Sequence, residues 1–414
     1  MATASTLSDT DKGPESPSAG LLVMLTPLPP EGLERTIANV AAAFPSEAVE
    51  IATPDPLPPG IANTSLFRAF TYVPAAPPGG GWLLSAIDFL NTYRVMQDRA
   101  ANGCLLLGPE AQCLTPGALA ALASASLSGA ADLAVPRYSL GPRDGLVNSA
   151  ILYPATRAIF GTRARYPLAV DLALSRRMAE RLASAAQRFT ASGQNTALLW
   201  AVSEAASAGM AVQEVEVGKR AIPAPDSADL NTILAQVAGS LFADIEAKAS
   251  FWQRARLAYS PKAAAAQTQA AAIQQRSAEL PELPDIQPML DSFRLAYSNL
   301  QEIWSLVLPP NSLLGLKKLS TMPSEVFRMP DALWARIIYD FILAYRLRTI
   351  NRGHLMGALI PLYLAWVASH LRLASAVGGE GLAPEAHIET LAAAFESEKP
   401  YLVSRWRWPD RFNP

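Results

Sequence analysis

The sequence predicts an α/β sheet domain with helices on both faces, followed by an all-helical C-terminal domain. Short apolar runs alternate with amphipathic ones over the first half of the chain. Beyond Asp226 the strand signals vanish and helical periodicity takes over. A length of 414 residues suits two domains, each large enough to bury a core.

The elements follow in order. Leu21–Leu25 (LLVML) is a short apolar strand ending at the turn signal Thr26-Pro27. Glu31 to Ala43 has helical apolar spacing at Leu33, Ile37, Val40 and Ala41. Further strands are predicted over Val49–Ala52, Phe70–Val73, Cys104–Leu107, Leu133–Pro136 and Val212–Val217. Helices are predicted over Trp82–Ala100, Pro116–Ser126 and Ala197–Ala208, the second with Thr115 as N-cap and Pro116 at its first position. This alternation argues for an open sheet covered on both faces. Such sheets bind ligands outside the carboxyl ends of their strands, which points to Thr26–Pro30, Pro54–Gly60 and Gly108–Cys113.

The helical part is expected over Asp229–Ala258, Asp291–Leu308, Ser324–Arg348, Arg352–Ala376 and Pro384–Glu398. Lys262–Gln275 and the following ELPELPDIQP read as a surface connection. The domain reading is therefore 1–20 as a disordered tail, 21–225 as the sheet domain and 226–414 as the helical domain.

Composition removes several classes. Lys and Arg number 34 against 36 Asp and Glu, a formal charge of -2 that argues against a nucleic-acid protein. Cys104 and Cys113 are too few for a disulfide framework or a Cys-based zinc site. His354, His370 and His387 all lie near the C-terminus, and a hydrogen-bonded structural role outweighs a ligand role for the first two. The first 20 residues resemble neither a signal nor a transit peptide, so a cytoplasmic location is expected. Leu355 to Ser369 is too short for a bilayer span of about 20 residues and reads as a buried helix. P-loop, GxGxxG and GxSxG motifs are absent. The stripe Leu333, Trp334, Ile337, Ile338, Phe341, Ile342 and Tyr345 is core. The tail Lys399–Phe412, with interleaved bases and aromatics, is expected to dock across the domains or on a second subunit.

LLLGPEAQCLTP (105–116), DGLVNSAILYPATRAIFG (144–161) and YPLAVDLALS (166–175) together resemble a bacterial glycosyltransferase group. It is the GT-A group of mannosylglycerate synthase and glucosyl-3-phosphoglycerate synthase type. LWARIIYDFILAY (333–345), RGHLMGALIPLYLAWVAS (352–369) and FESEKPYL (395–402) extend the resemblance through the helical half. It implies a GT-A-like fold and transfer of a hexose from a nucleotide sugar to a small hydroxy acid such as glycerate or phosphoglycerate. It also implies a divalent metal, Mg or Mn, held against the diphosphate by an Asp-x-Asp and a later His, because a hard cation takes oxygen ligands and stabilises the leaving charge.

The chain departs from that pattern. The Asp-x-Asp positions fall on Gly108 and Glu110, leaving Glu110 as the one candidate metal ligand. The later His falls near Arg220 to Ile222, where none is present, and the Gly-Lys after the third strand reads Gly81-Trp82. One reading makes Lys219 and Arg220 replace the cation at the diphosphate in a metal-independent enzyme. Another makes the chain a catalytically silent homologue acting as a binding or assembly partner, with Lys219-Arg220 a solvated turn. A third is a nucleotide-binding module without transfer.

The resemblance assigns the other site residues. Thr26 and Pro27 join Glu110, Lys219 and Arg220 on the donor side. Asp171 matches a Gly-Gly-Asp loop whose glycines are here Ala169 and Val170. It would bond sugar hydroxyls or stabilise an oxocarbenium-like centre, or else cap a helix beginning near Ser175. Asp144 and Asn148 match an acceptor-side segment, with Arg143 adding positive charge, while the bland reading of Asp144-Gly145 is a turn. A homodimer fits the apolar helical half.

Overall fold

The computed structural model describes residues 20–61, 63–76, 81–141, 143–221, 229–254, 285–375 and 383–408. The tail up to residue 19 and the connection Lys262–Gln275 lie outside the described residues.

Seven strands form one sheet: β1 Leu21–Leu25, β2 Val49–Thr53, β3 Phe67–Thr71, β4 Gly103–Leu107, β5 Leu133–Tyr138, β6 Asp171–Ser175 and β7 Val212–Gly218, in the order β3-β2-β1-β4-β6-β5-β7. Every pairing is parallel except those of β6, which runs antiparallel between β4 and β5. Strands β1, β2 and β4 are buried along their whole length, as a sheet covered on both faces requires.

The covering helices are α1 Pro30–Ala43, α2 Ala86–Asp98, α3 Pro116–Leu127, α4 Tyr153–Phe160, α5 Arg176–Thr190 and α6 Ala201–Ser207. Leu21, Val23 and Leu25 pack with α1 and α3, whereas Leu22 and Met24 pack with α2 and α5. Alternate strand residues therefore feed opposite layers, which is the period of a pleated strand. The architecture is the expected α/β sheet with helices on both faces, followed by a helical region.

Several boundaries moved for local reasons. The third strand starts at Phe67, because pairing with β2 aligns Val49 with Phe67 and Thr53 with Thr71. Helix α2 begins at Ala86 rather than Trp82, fixed by a capping box in which Ser85 and Asp88 satisfy each other's backbone. Residues 171–175 form β6, a strand absent from the sequence reading. Asp171 caps no helix. Ser175 does, accepting from the Met178 N–H at the start of α5.

The helical half contains α7 Leu230–Ala247, α8 Ala249–Trp252, α9 Gln287–Asn299, α10 Gln301–Val307, α11 Pro310–Ser320, α12 Asp331–Leu347, α13 Arg352–Ser375 and α14 Pro384–Arg407. Asp229 caps α7 through the Thr232 N–H. The predicted helices 229–258, 291–308 and 324–348 are each broken, at Lys248, Leu300 and the Pro330 N-cap of α12. Helix α11 was missed, and α14 runs through Pro400 to Arg407. Helix α13 is long and apolar enough to cross a membrane by length and composition, but Leu355, Leu359, Leu362 and Trp366 are buried inside the protein.

The halves share one continuous core running from Leu21 to Trp406. They are also clamped by charge. Arg157 on α4 donates to Glu396 through Nε at 3.0 Å and to Glu389 through Nη1 at 2.5 Å. Arg165 forks onto Glu385, with both bonds at 3.1 Å. In the predicted tail, Arg405 pairs with Asp340, and the Lys399 ammonium donates to the Ile159 carbonyl at 3.0 Å.

Candidate functional site

The carboxyl ends of β1 and β4 lie side by side, since the Thr26 N–H donates to the Leu107 carbonyl at 3.0 Å. Antiparallel pairing then sets Leu107 opposite Asp171, so β6 delivers that carboxylate to the same edge. The segment after β7 brings in Arg220. Three of the expected donor-side residues (Thr26, Glu110 and Arg220) and the expected catalytic Asp171 thus gather at one set of strand ends.

Asp171 and Arg220 are turned on each other rather than toward a ligand. Their side chains are both 0% exposed. Arg220 Nε donates to Asp171 Oδ2 at 2.9 Å and Nη2 donates to Oδ1 at 3.0 Å, a forked pair. The same guanidinium donates to the carbonyls of Pro109 at 2.6 Å, Glu110 at 2.5 Å and Ala221 at 3.1 Å. A guanidinium has five N–H donors, and these five bonds use the set.

Asp171 is equally committed. Oδ2 also accepts from the Tyr138 hydroxyl at 3.0 Å, and Oδ1 from the Gly108 N–H at 3.4 Å. Burial and then the Asp171 charge push the Tyr138 phenol well above its ordinary range, so it stays a neutral donor. Burial pulls the Arg220 guanidinium down, and Asp171 more than offsets this, leaving it above its ordinary value. The four groups form a closed knot joining β4, β5, β6 and the segment after β7.

The first Asp-x-Asp position is closed for a steric reason. A Cβ on Gly108 would lie 2.5 Å from the Val170 carbonyl oxygen, a distance that real side chains do not occupy. Gly108 is therefore the residue the close approach of β6 demands. Glu110 sits at φ 64 with its carboxylate accepting from Gln112 at 2.7 Å.

The remaining candidates take other places. Lys219 and Pro27 are exposed. Thr26 is buried, and its hydroxyl has no hydrogen-bond partner among the described residues. Asp144 accepts from the Gly141 N–H at 3.1 Å and Gly145 takes φ 61, so this pair is a turn. Asn148 donates to the Arg165 carbonyl at 2.9 Å, which supports the residue clamped to Glu385. Arg143 lies on the surface. Asn148 thus supports Arg165 and Asp144 closes a turn, and both hydrogen bonds are to backbone groups other than those around Asp171. Tyr138 was missed, because nothing in the strand pattern marks its hydroxyl as Asp171's partner.

No family model and no curated protein matches the chain. Among solved structures it resembles glucosyl-3-phosphoglycerate synthase from Mycobacterium tuberculosis in complex with phosphoglyceric acid, at 14% identity over 55% of this chain and 79% of that one, with a TM-score of 0.35. The same synthase with Mn2+, UDP-glucose and phosphoglyceric acid aligns with identical figures. CMP:2-keto-3-deoxy-manno-octonic acid synthetase with CTP aligns at 11% identity over 55% of this chain and all 100% of that one, with a TM-score of 0.31. Likeness of this size assigns no activity, and the strand-end geometry has to carry the functional reading.

Proposed function

We propose that this chain is a catalytically silent glycosyltransferase homologue acting as a binding or assembly partner. The single observation that supports this is the Arg220–Asp171 knot at the strand ends. Transfer from a nucleotide sugar needs positive charge free to meet the leaving diphosphate and polar groups open to the sugar. Here the buried cation has spent its donors on protein carbonyls and on Asp171, the carboxylate that the resemblance would set beneath the donor sugar.

A divalent ion does not fit the residues present. Mn or Mg takes several hard oxygen ligands. Glu110 offers one carboxylate, Asp171 is committed to Arg220, and among the described residues no group of three His, Cys, Asp or Glu side chains could hold an ion.

Metal-independent hexosyl transfer to glycerate or phosphoglycerate is the second reading. The exposed Lys219 beside Arg220 supports it, as a point charge still open to phosphate. Thermal shift against UDP, GDP and their hexose conjugates, with and without Mn or chelator, tests both. The silent reading expects no shift with any of them. A chelator-insensitive shift that disappears in Lys219→Ala would favour the metal-free alternative, and hexose transfer to a glycerate-type acceptor would separate it from a nucleotide-binding module without transfer.

A further inference from the structure

Away from the strand ends, a cavity of about 860 Å³ lies between the end of α4, helix α8 and the C-terminal half of α14. That is a volume suited to a small organic ligand. Its walls include Gly161, Trp252, Glu396, Lys399, Val403 and Arg407. Residues 396, 399, 403 and 407 recur at helical spacing, so one face of α14 forms a whole side of it.

The charge on these walls is unbalanced. Glu396 has both carboxylate oxygens engaged by Arg157, through Nε at 3.0 Å and Nη2 at 3.2 Å. Lys399 donates to the Ile159 carbonyl, and Arg407 to the Gln253 carbonyl at 3.4 Å. Neither cation forms an ion pair with a carboxylate among the described residues. Burial pushes the Lys399 ammonium down to about 8, with Glu396 acting in the opposite direction. A half-buried ammonium held only by a carbonyl has donors and charge left for an anion. Lys399 and Arg407 stand eight residues apart, about 12 Å along the helix. A ligand touching both is therefore elongated, with an anionic group at Lys399 and its body along α14.

We infer that this cavity binds a small organic oxyanion, bearing phosphoryl or carboxylate groups, anchored by Lys399 and Arg407. The inference does not depend on whether the strand-end cleft is silent. The full chain is titrated calorimetrically with linear tripolyphosphate and separately with sebacate, an extended dicarboxylate, each long enough to approach both cations, against chloride at matched ionic strength. Saturable binding of either supports the site, and the probe that binds distinguishes the phosphoryl from the carboxylate source.

Lys399→Met and Arg407→Met should each weaken binding roughly tenfold, the loss expected for a charged hydrogen bond. Lys399→Arg should restore most of it, which a purely structural contact with α4 would not produce. Arg407→Met decides the matter should Lys399→Met fail to fold. Absence of saturable binding by both probes, or binding untouched by the Arg407 substitution, overturns the proposal.

Discussion

The strand ends and the junction between the halves use the same chemistry under different solvation. At the strand ends Arg220 and Asp171 are both 0% exposed, and every donor of the guanidinium is used. At the junction Arg157 is as deeply buried, but its partners Glu389 and Glu396 keep 34% and 21% of their side chains in water. Losing an arginine strands a carboxylate in the first place and merely returns carboxylates to solvent in the second. The same pair type can thus be a structural necessity or an adjustable clamp, depending on what water reaches.

The largest effect should come from Arg220→Ala. It leaves Asp171 charged, buried and unpaired, which typically costs about 3–5 kcal/mol, readable by urea unfolding. Replacing both partners, as Arg220→Met with Asp171→Leu, should restore only part of that stability: it removes the stranded charge, but the Pro109 carbonyl and the Tyr138 hydroxyl lose their partners. A cost no greater than that of Arg157→Ala would erase the contrast between the two sites.

Next comes Gly108→Asp, which drives a side chain into the Val170 carbonyl. A loss of about 1–3 kcal/mol is expected, with no gain of Mn affinity by calorimetry. Recovery of metal binding would show that β6 can yield and that the cleft is not closed. Arg157→Ala should cost less, about 1–2 kcal/mol, because Glu389 and Glu396 can rehydrate.

The smallest net effect concerns pH in the helical half. His370 contacts His387 through their Nδ1 atoms at 2.7 Å, and burial pulls His370 from 6.5 down to about 3. Between those values the unfolded chain binds a proton that the folded chain refuses, so stability falls on acidification. Burial pushes Asp340 above its ordinary value of 3.8, against the opposing pull of Arg405 and Tyr401. It keeps a proton the unfolded chain has lost, so its contribution falls as pH rises above that ordinary value. The two slopes oppose each other across mildly acidic pH. His370→Asn should tilt the Tm profile downward with rising pH, and Asp340→Asn should tilt it upward; parallel profiles for the two variants would refute both assignments.

Much of the architecture was legible. Fully buried strands such as Leu21–Leu25 announce themselves as short apolar runs, and Thr115-Pro116 marks a helix start by capping chemistry alone. Strand β6 was not legible, because DLALS is only five residues long and its antiparallel insertion depends on partners at least 39 residues away, from Ala134 paired with Ala173 out to Gly103 paired with Ser175. The candidate site was half legible. The residues that would gather at the strand ends could be named, but not that Arg220 would turn inward onto Asp171.

Composition and periodicity alone determined the layered sheet and its helical companion, because burying an apolar face is a local demand written into residue spacing. Only the tertiary structure decided which polar groups neutralise one another. That choice depends on ångström-scale approach between distant segments, such as Val170 over Gly108 and Arg220 over Asp171, which no local pattern encodes.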